Sequence, residues 1–369
     1  MVARPDWTRR LLYLNGLAIL AALLNHACGW GTIAMFIWTH RYLPVAVPNF
    51  DQVGTLSYYV LRVAGQLVAF AIPAFVFVSG YFVAYASARS KGTISWQTIR
   101  SQVVHLGIPY LVWCGIAVAG LALEGQSTNY LLAILTGSVK GPYYFVPLLI
   151  QLYLISPVLV ALARHRWRLL LVSTAIAQIA CQLLLYNLAL DLETPFLPRR
   201  FHVPNWLFPT RVWWFALGIV AGFHLQPLKA WLDRRRRLMQ MVAIIFFVVG
   251  CVEGEMIFRV SHFIVSVETV VDSLYALSVI AVFLGRERFA PPLLRLVERV
   301  GAASYGLYLA HVPAQEYFAR AVYHVAPWML GNQWILLPAL FVAGLGGPLM
   351  LMAVGRRSPA RSYYRLIFG

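Results

Sequence analysis

The chain has 369 residues, 60% of them hydrophobic and 12% charged, with a formal net charge of +17. A soluble domain carries roughly twice that charged fraction, so composition excludes a large water-soluble protein and predicts an all-α polytopic integral membrane protein. The positive charge does not imply nucleic acid, because it falls in short loops between apolar runs, where membrane topology accounts for it.

In chain order, hydropathy predicts ten spans: 11–34, 58–86, 99–122, 143–163, 168–188, 205–224, 238–258, 264–285, 302–324 and 334–354. The short segment 129–138 is predicted as a re-entrant or interfacial turn before the fourth span. The first run is too long for a cleaved signal peptide and is read as an uncleaved span. Basic residues alternate with the spans. They cluster before the first (Arg4, Arg9, Arg10), after the second (Arg89, Lys91, Arg100) and after the fourth (Arg164, Arg166, Arg168). The same holds after the sixth (Lys229, Arg234 to Arg237), after the eighth (Arg286, Arg288, Arg295, Arg299) and in the tail (Arg356, Arg357, Arg361, Arg365). That bias predicts cytoplasmic N- and C-termini and an even number of spans. No internal repeat or soluble segment interrupts residues 1–369, which read as one transmembrane domain. The segments 39–57 and 189–204, rich in proline and aromatics, are predicted on the outer side, either covering a site or packed as loops.

Cys28, Cys114, Cys181 and Cys251 are widely spaced in apolar stretches, as single buried thiols are, and form no CxxC site. His26, His105, His202, His262 and His311 are not at metal-ligand spacing, so no metal is expected.

Ionisable groups inside spans are costly and usually face a cavity. Asn25-His26 lies in the outer half of span one. Arg211 opens span six, Glu253 and Glu255 close span seven, and Glu268 and Asp272 open span eight, all at similar predicted depth. Glu268 and Asp272 are expected on one helix face at i, i+4, needing a cation such as Arg211. Arg259 and His262 are expected in the intervening turn, and Arg62 at the outer start of span two. A shared polar chamber near the outer leaflet explains the set. Interfacial solvation of Arg62, Arg259 and His262, and structural pairing of the carboxylates, are the plainer alternatives. In span nine, Ser304, Tyr308, His311 and Gln315 form one helix stripe, with Tyr305 beside it. Interhelical hydrogen bonding alone accounts for such a stripe equally well. Ser79-Gly80 in span two permits close approach of a helix or a ligand.

Five segments in order resemble acyltransferase family 3, a family of membrane acyltransferases. They are Leu14-Asn15-Gly16-Leu17-Ala18 through His26; Phe75 to Phe82 around Ser79-Gly80; His105 through Pro109-Tyr110; Tyr144-Phe145-Val146-Pro147 through Gln151 and Pro157; and Gly301 through Ser304-Tyr305, Tyr308 and His311. Asn15 stands where the family has an arginine, eleven residues before the histidine, and His105 stands where the third-span basic residue is usually arginine, with Arg100 nearest. The resemblance implies a cell-membrane enzyme moving an acyl group, often acetyl, from acyl-CoA to a hydroxyl of an extracytoplasmic glycan, with no tightly bound cofactor. It implies His26 as general base or acyl carrier. Asn25, Glu268 or Asp272 would orient its ring, and Arg211, Tyr305 or Asn15 would serve a developing oxyanion. The donor is expected to meet Arg100, His105, Ser79, Tyr144, Tyr305 and His311. Two other readings stay open: a proton-coupled exporter of a saccharide or lipid, and a non-catalytic membrane subunit.

Overall fold

A backbone surrounded by hydrocarbon must satisfy its own hydrogen bonds, and helices do this within one segment. The computed structural model describes residues 5–89, 94–192, 198, 200–262, 268–285, 293–357 and 359–369. The described residues are 84% helical, and no strand occurs among them. The helices are α1 (Pro5–Phe36), α2 (Leu56–Leu67), α3 (Ala71–Arg89), α4 (Trp96–Leu123), α5 (Tyr130–Thr136), α6 (Phe145–His165), α7 (Trp167–Leu190) and α8 (Val212–Phe223). They continue with α9 (Leu225–Arg234), α10 (Arg236–Ser261), α11 (Val270–Leu284), α12 (Leu294–Ala302), α13 (Ser304–Val325), α14 (Gln333–Arg357) and α15 (Tyr364–Phe368).

Among the described residues seven stretches are long and apolar enough to cross a membrane: Arg9–Phe36, Leu56–Ala88, Trp96–Leu123, Gly141–His165, Trp167–Leu190, Arg236–Ser261 and Gln333–Arg357. The expected sixth and eighth spans are shorter apolar helices, Val212–Phe223 and Val270–Leu284. The 12 residues of α8 rise about 18 Å at 1.5 Å each, less than the ~30 Å hydrocarbon thickness. Residues 205–211, expected as helix, contain Pro209 and fold into a 3-10 turn at Phe208–Thr210. The predicted second span divides at residues 68–70 into α2 and α3, just before Pro73, which has no N–H to continue the ladder. The predicted turn at 129–138 contains the short helix α5, capped at its start by Asn129 and at its end by left-handed Gly137.

Close helix crossings rest on missing side chains. α3 packs along α8, where a Cβ on Gly80 would strike the Phe215 backbone and one on Gly218 the Phe77 backbone. Gly16 and Gly301 give α1 and α12 the same intimacy. Large apolar side chains remain exposed on the outward faces: Leu111 and Ile116 on α4, Ile176 and Leu183 on α7, Ile244 and Val252 on α10. In water those faces would be a liability; against lipid tails they cost nothing.

Candidate active site

Helices α1, α2, α10 and the N-terminal ends of α3, α6, α8 and α11 enclose a cavity of about 440 Å³, within the range of roughly 300–1,000 Å³ usual for small-ligand sites. Asn25 and His26 of α1, Arg62 and Gln66 of α2, Tyr144, Arg211, Glu253, Glu268, Asp272 and Tyr308 all reach its wall. Most of the polar groups expected at similar depth therefore share one chamber, while Glu255, Arg259 and His262 are not part of its lining.

His26 is half-buried. Among the described residues neither it nor Asn25 makes a hydrogen bond, and the ring neighbour of His26 is His311, with centroids 5.2 Å apart and planes inclined by 30°. His311 is fully buried. Its Nδ1 lies 2.7 Å from the Tyr308 carbonyl and 3.2 Å from that of Leu307. A carbonyl only accepts, so Nδ1 carries the proton and Nε2 keeps a lone pair. Among the described residues that Nε2 has no hydrogen-bond partner. The orienting groups expected for His26 are thus not its neighbours. Glu268 and Asp272 are held by other donors, and the ring packed on His26 belongs to His311, expected instead as a donor-binding residue.

Glu268 and Asp272 also differ from the expected shared helix face. Glu268 precedes α11, whose N-cap is Thr269, and Asp272 completes a capping box. The Asp272 carboxylate accepts from the Thr269 amide at 3.1 Å and from Gln66 Nε2 at 2.9 Å. Glu268 forms a buried ion pair with Arg211, Nε to Oε2 3.1 Å, both side chains almost fully excluded from solvent. Its other oxygen accepts from Trp214 Nε1 at 2.7 Å, from Gln182 Nε2 at 3.3 Å and from the Ser273 hydroxyl. Glu253 accepts from Thr269 Oγ1 at 2.8 Å and from the Tyr186 hydroxyl. Arg259, expected in a turn, lies in the last turn of α10 and pairs with Glu255 at 2.6 Å, while His262 is the left-handed C-cap.

The remaining predicted residues lie apart from the chamber. Asn15, expected near an oxyanion, donates its amide to the Gly301 carbonyl at 3.0 Å and to Ser304 Oγ at 2.7 Å, tying α1 to the α12–α13 junction. Ser79 donates to Phe75 O at 2.9 Å within α3, beside the Gly80 crossing. Tyr305 donates to the Leu106 carbonyl and lies near His105, ring centroids 6.5 Å apart. Arg100 and His105 are exposed on α4. Of the expected donor-binding residues, only Tyr144 lines the cavity.

Sequence reasoning missed Gln178 and Gln182 of α7, both buried. Gln178 accepts from the Trp213 amide at 3.2 Å, and Gln182 donates to Ser273 Oγ at 2.6 Å. Their i, i+4 spacing in an apolar run was the available signal. Gln66 and Trp214 offered none, since an isolated amide or indole in a span is common.

Fold and cavity together define a multi-pass membrane protein with an internal polar chamber and a histidine at its wall uncommitted to any hydrogen bond. The chain belongs to acyltransferase family 3: the family model, described as an acyltransferase domain, matches residues 10–353. Membership makes it a membrane acyltransferase in general terms. No curated protein and no solved structure matches the chain.

Proposed function

We propose that this protein transfers an acyl group, acetyl in the simplest case, from acyl-CoA to a hydroxyl of an extracytoplasmic glycan or related envelope molecule. In this reading residues 1–369 form one unit in the cell membrane. They make ten crossings, some by short helices, with both ends in the cytoplasm. The observation that carries the reading is His26: in a family of acyltransferases, an imidazole on a cavity wall without a hydrogen-bond partner is free to meet substrate. His26 takes the proton of the acceptor hydroxyl as that oxygen attacks the thioester carbonyl. The C–O bond forms, the C–S bond breaks, and the departing thiolate receives the proton. The acyl-histidine route uses the same free nitrogen as nucleophile and the same proton balance. His311, anchored through Nδ1–H, would fix the position and tautomer of His26. Glu268 and Arg211 build the chamber wall, and their mutual pairing supports a positioning role for both. Tyr144 is the wall hydroxyl that supports donor contact.

The test is the ester-linked acyl content of envelope glycans and lipids, measured by mass spectrometry in cells expressing the wild type or His26→Ala at matched membrane levels. A base-labile acyl group that needs wild-type His26 is the expected result. Full acylation by a folded His26→Ala protein overturns the assignment. Gradient-dependent efflux of a saccharide without acyl-CoA consumption would point to transport.

A further inference from the structure

Of the basic residues at the cavity end of the bundle, Arg62 stands apart. Lys140 and Arg320 pair with Glu316 at 2.6 and 2.9 Å, and Arg320 also with Glu124 at 2.8 Å. Arg200 pairs with Asp191 at 2.9 Å, Arg211 with Glu268 and Arg259 with Glu255. Arg41 donates to the Tyr323 carbonyl and covers the Tyr323 ring. Arg62 lines the cavity, and among the described residues it has no hydrogen bond and no carboxylate at ion-pair distance. Its guanidinium stands about 6 Å from the ring centroids of Tyr58 and Phe258 and feels the charge of Glu255 from beyond ion-pair distance. The nearby carboxylates have closer donors. Glu255 accepts from the Tyr58 hydroxyl at 2.5 Å and from Arg259 at 2.6 Å. Glu253, Glu268 and Asp272 have the donors described above.

The local packing holds the guanidinium in this place. Arg62 and Gln66 are neighbours at i, i+4 on α2. Opposite them on α10 stand Gly254 and Gly250, where a Cβ would come within 2.7 Å of Arg62 Nη2 and press on the Gln66 amide. Gln66 is fastened to Asp272, so the pair is held while the charge of Arg62 is left facing the cavity. A half-buried guanidinium bordered by aromatic rings, with no acceptor at hydrogen-bond distance among the described residues, gains most from a carboxylate or phosphate that can meet it with paired hydrogen bonds.

We infer that Arg62 is the docking point for the anionic group of the acceptor, so that the acceptor is a carboxylate- or phosphate-bearing carbohydrate and not a neutral one. The inference rests on the reading of the cavity as the acceptor site. The purified full-length protein in detergent is tested for equilibrium binding of p-nitrophenyl β-glucuronide, its neutral methyl ester, and p-nitrophenyl β-glucoside phosphorylated on the primary hydroxyl. The wild type is expected to prefer at least one anionic probe over the ester by about tenfold or more, as for one charge-assisted contact. Whichever anionic probe binds tighter identifies carboxylate or phosphate as the group recognised. Arg62→Gln is expected to abolish the preference, and Arg62→Lys to keep part of it. Melting curves of both variants establish that they are folded. Equal binding of ester and anions, an undiminished preference in folded Arg62→Gln, or no anionic probe binding at all overturns the anion site. Binding needs no acyl transfer, so these outcomes are separate from the envelope acylation assay. A lost anion site beside His26-dependent acylation would leave the enzyme reading intact with a neutral acceptor.

Discussion

His26 of α1 and His311 of α13 lie ring to ring, 5.2 Å between centroids, and the proton on His311 Nδ1 is committed to backbone carbonyls of its own helix. The remaining lone pair on Nε2 is buried without a partner. A buried acceptor left unsatisfied costs about 1–3 kcal/mol, and a small shift of the His26 ring, or one bridging water, would satisfy it. In the proposed reaction His311 would act through His26, as a positioning residue.

His311→Ala is accordingly expected to lower turnover by about tenfold or more, a part of the roughly 10²–10⁴ that a general base contributes, with a smaller change in acceptor KM. His311→Gln keeps an amide oxygen as acceptor and is expected to recover part of the loss. The pH profile of turnover should move in the alanine variant, because the group held by the lone pair is the group that titrates. A purely structural His311 would leave the profile where it is and change only the amount of folded protein.

For His26 itself the expected loss in His26→Ala is about 10²–10⁴, without a matching loss of stability. The side chain is half-buried at a cavity wall and makes no hydrogen bond among the described residues, and water entering the cavity can take its place beside His311. A melting temperature close to wild type alongside lost transfer is the signature. A large drop in melting temperature would mean that the ring serves packing.

How much of this was legible before the structure depends on which physics was local. His26, Arg211, Glu268 and Asp272 stood out because charge inside an apolar run is expensive wherever the chain goes, and one cavity does gather them. What could not be read was which group each would satisfy. Glu268 and Asp272 looked like neighbours on a helix face, but Thr269 starts the helix between them, so one carboxylate became a cap and the other an ion pair. Periodicity placed His311 on a polar stripe correctly, yet only the packing of α13 on α1 put it against His26. The division of the second span and the shortness of α8 escaped hydropathy for a similar reason. A 20-residue window averages over a break of three residues.

The Arg211–Glu268 pair gives a stability prediction that depends on whether one partner or both are removed. Removing one partner of a buried pair leaves a bare charge and typically costs about 3–5 kcal/mol. Arg211→Met and Glu268→Gln should each lower the melting temperature markedly. The double variant leaves no charge unpaired and should be more stable than the sum of the single losses predicts. Strict additivity in that cycle would show that the two side chains do not interact in the membrane.

Asn15 occupies the position where the family resemblance led to an arginine, and its geometry makes it a tie between helices. Its amide reaches both the Gly301 carbonyl and Ser304 Oγ, where Gly16 and Gly301 already bring α1 and α12 into backbone contact. Eleven residues of helix separate it from His26, about 16 Å along the axis, so it cannot reach an acyl carbonyl at that histidine. Asn15→Ala removes two hydrogen bonds at a part-buried contact and should cost about 1–3 kcal/mol of stability. Acyl transfer per folded molecule should remain near wild type. Asn15→Arg puts a long cation into the same narrow crossing and should destabilise more than alanine does, since overpacking typically adds about 1–3 kcal/mol. Thermal melts of the detergent-solubilised proteins, paired with acylation normalised to folded protein, separate the two roles. If Asn15→Ala melts like wild type but transfers poorly, the residue serves the reaction and the tie is incidental.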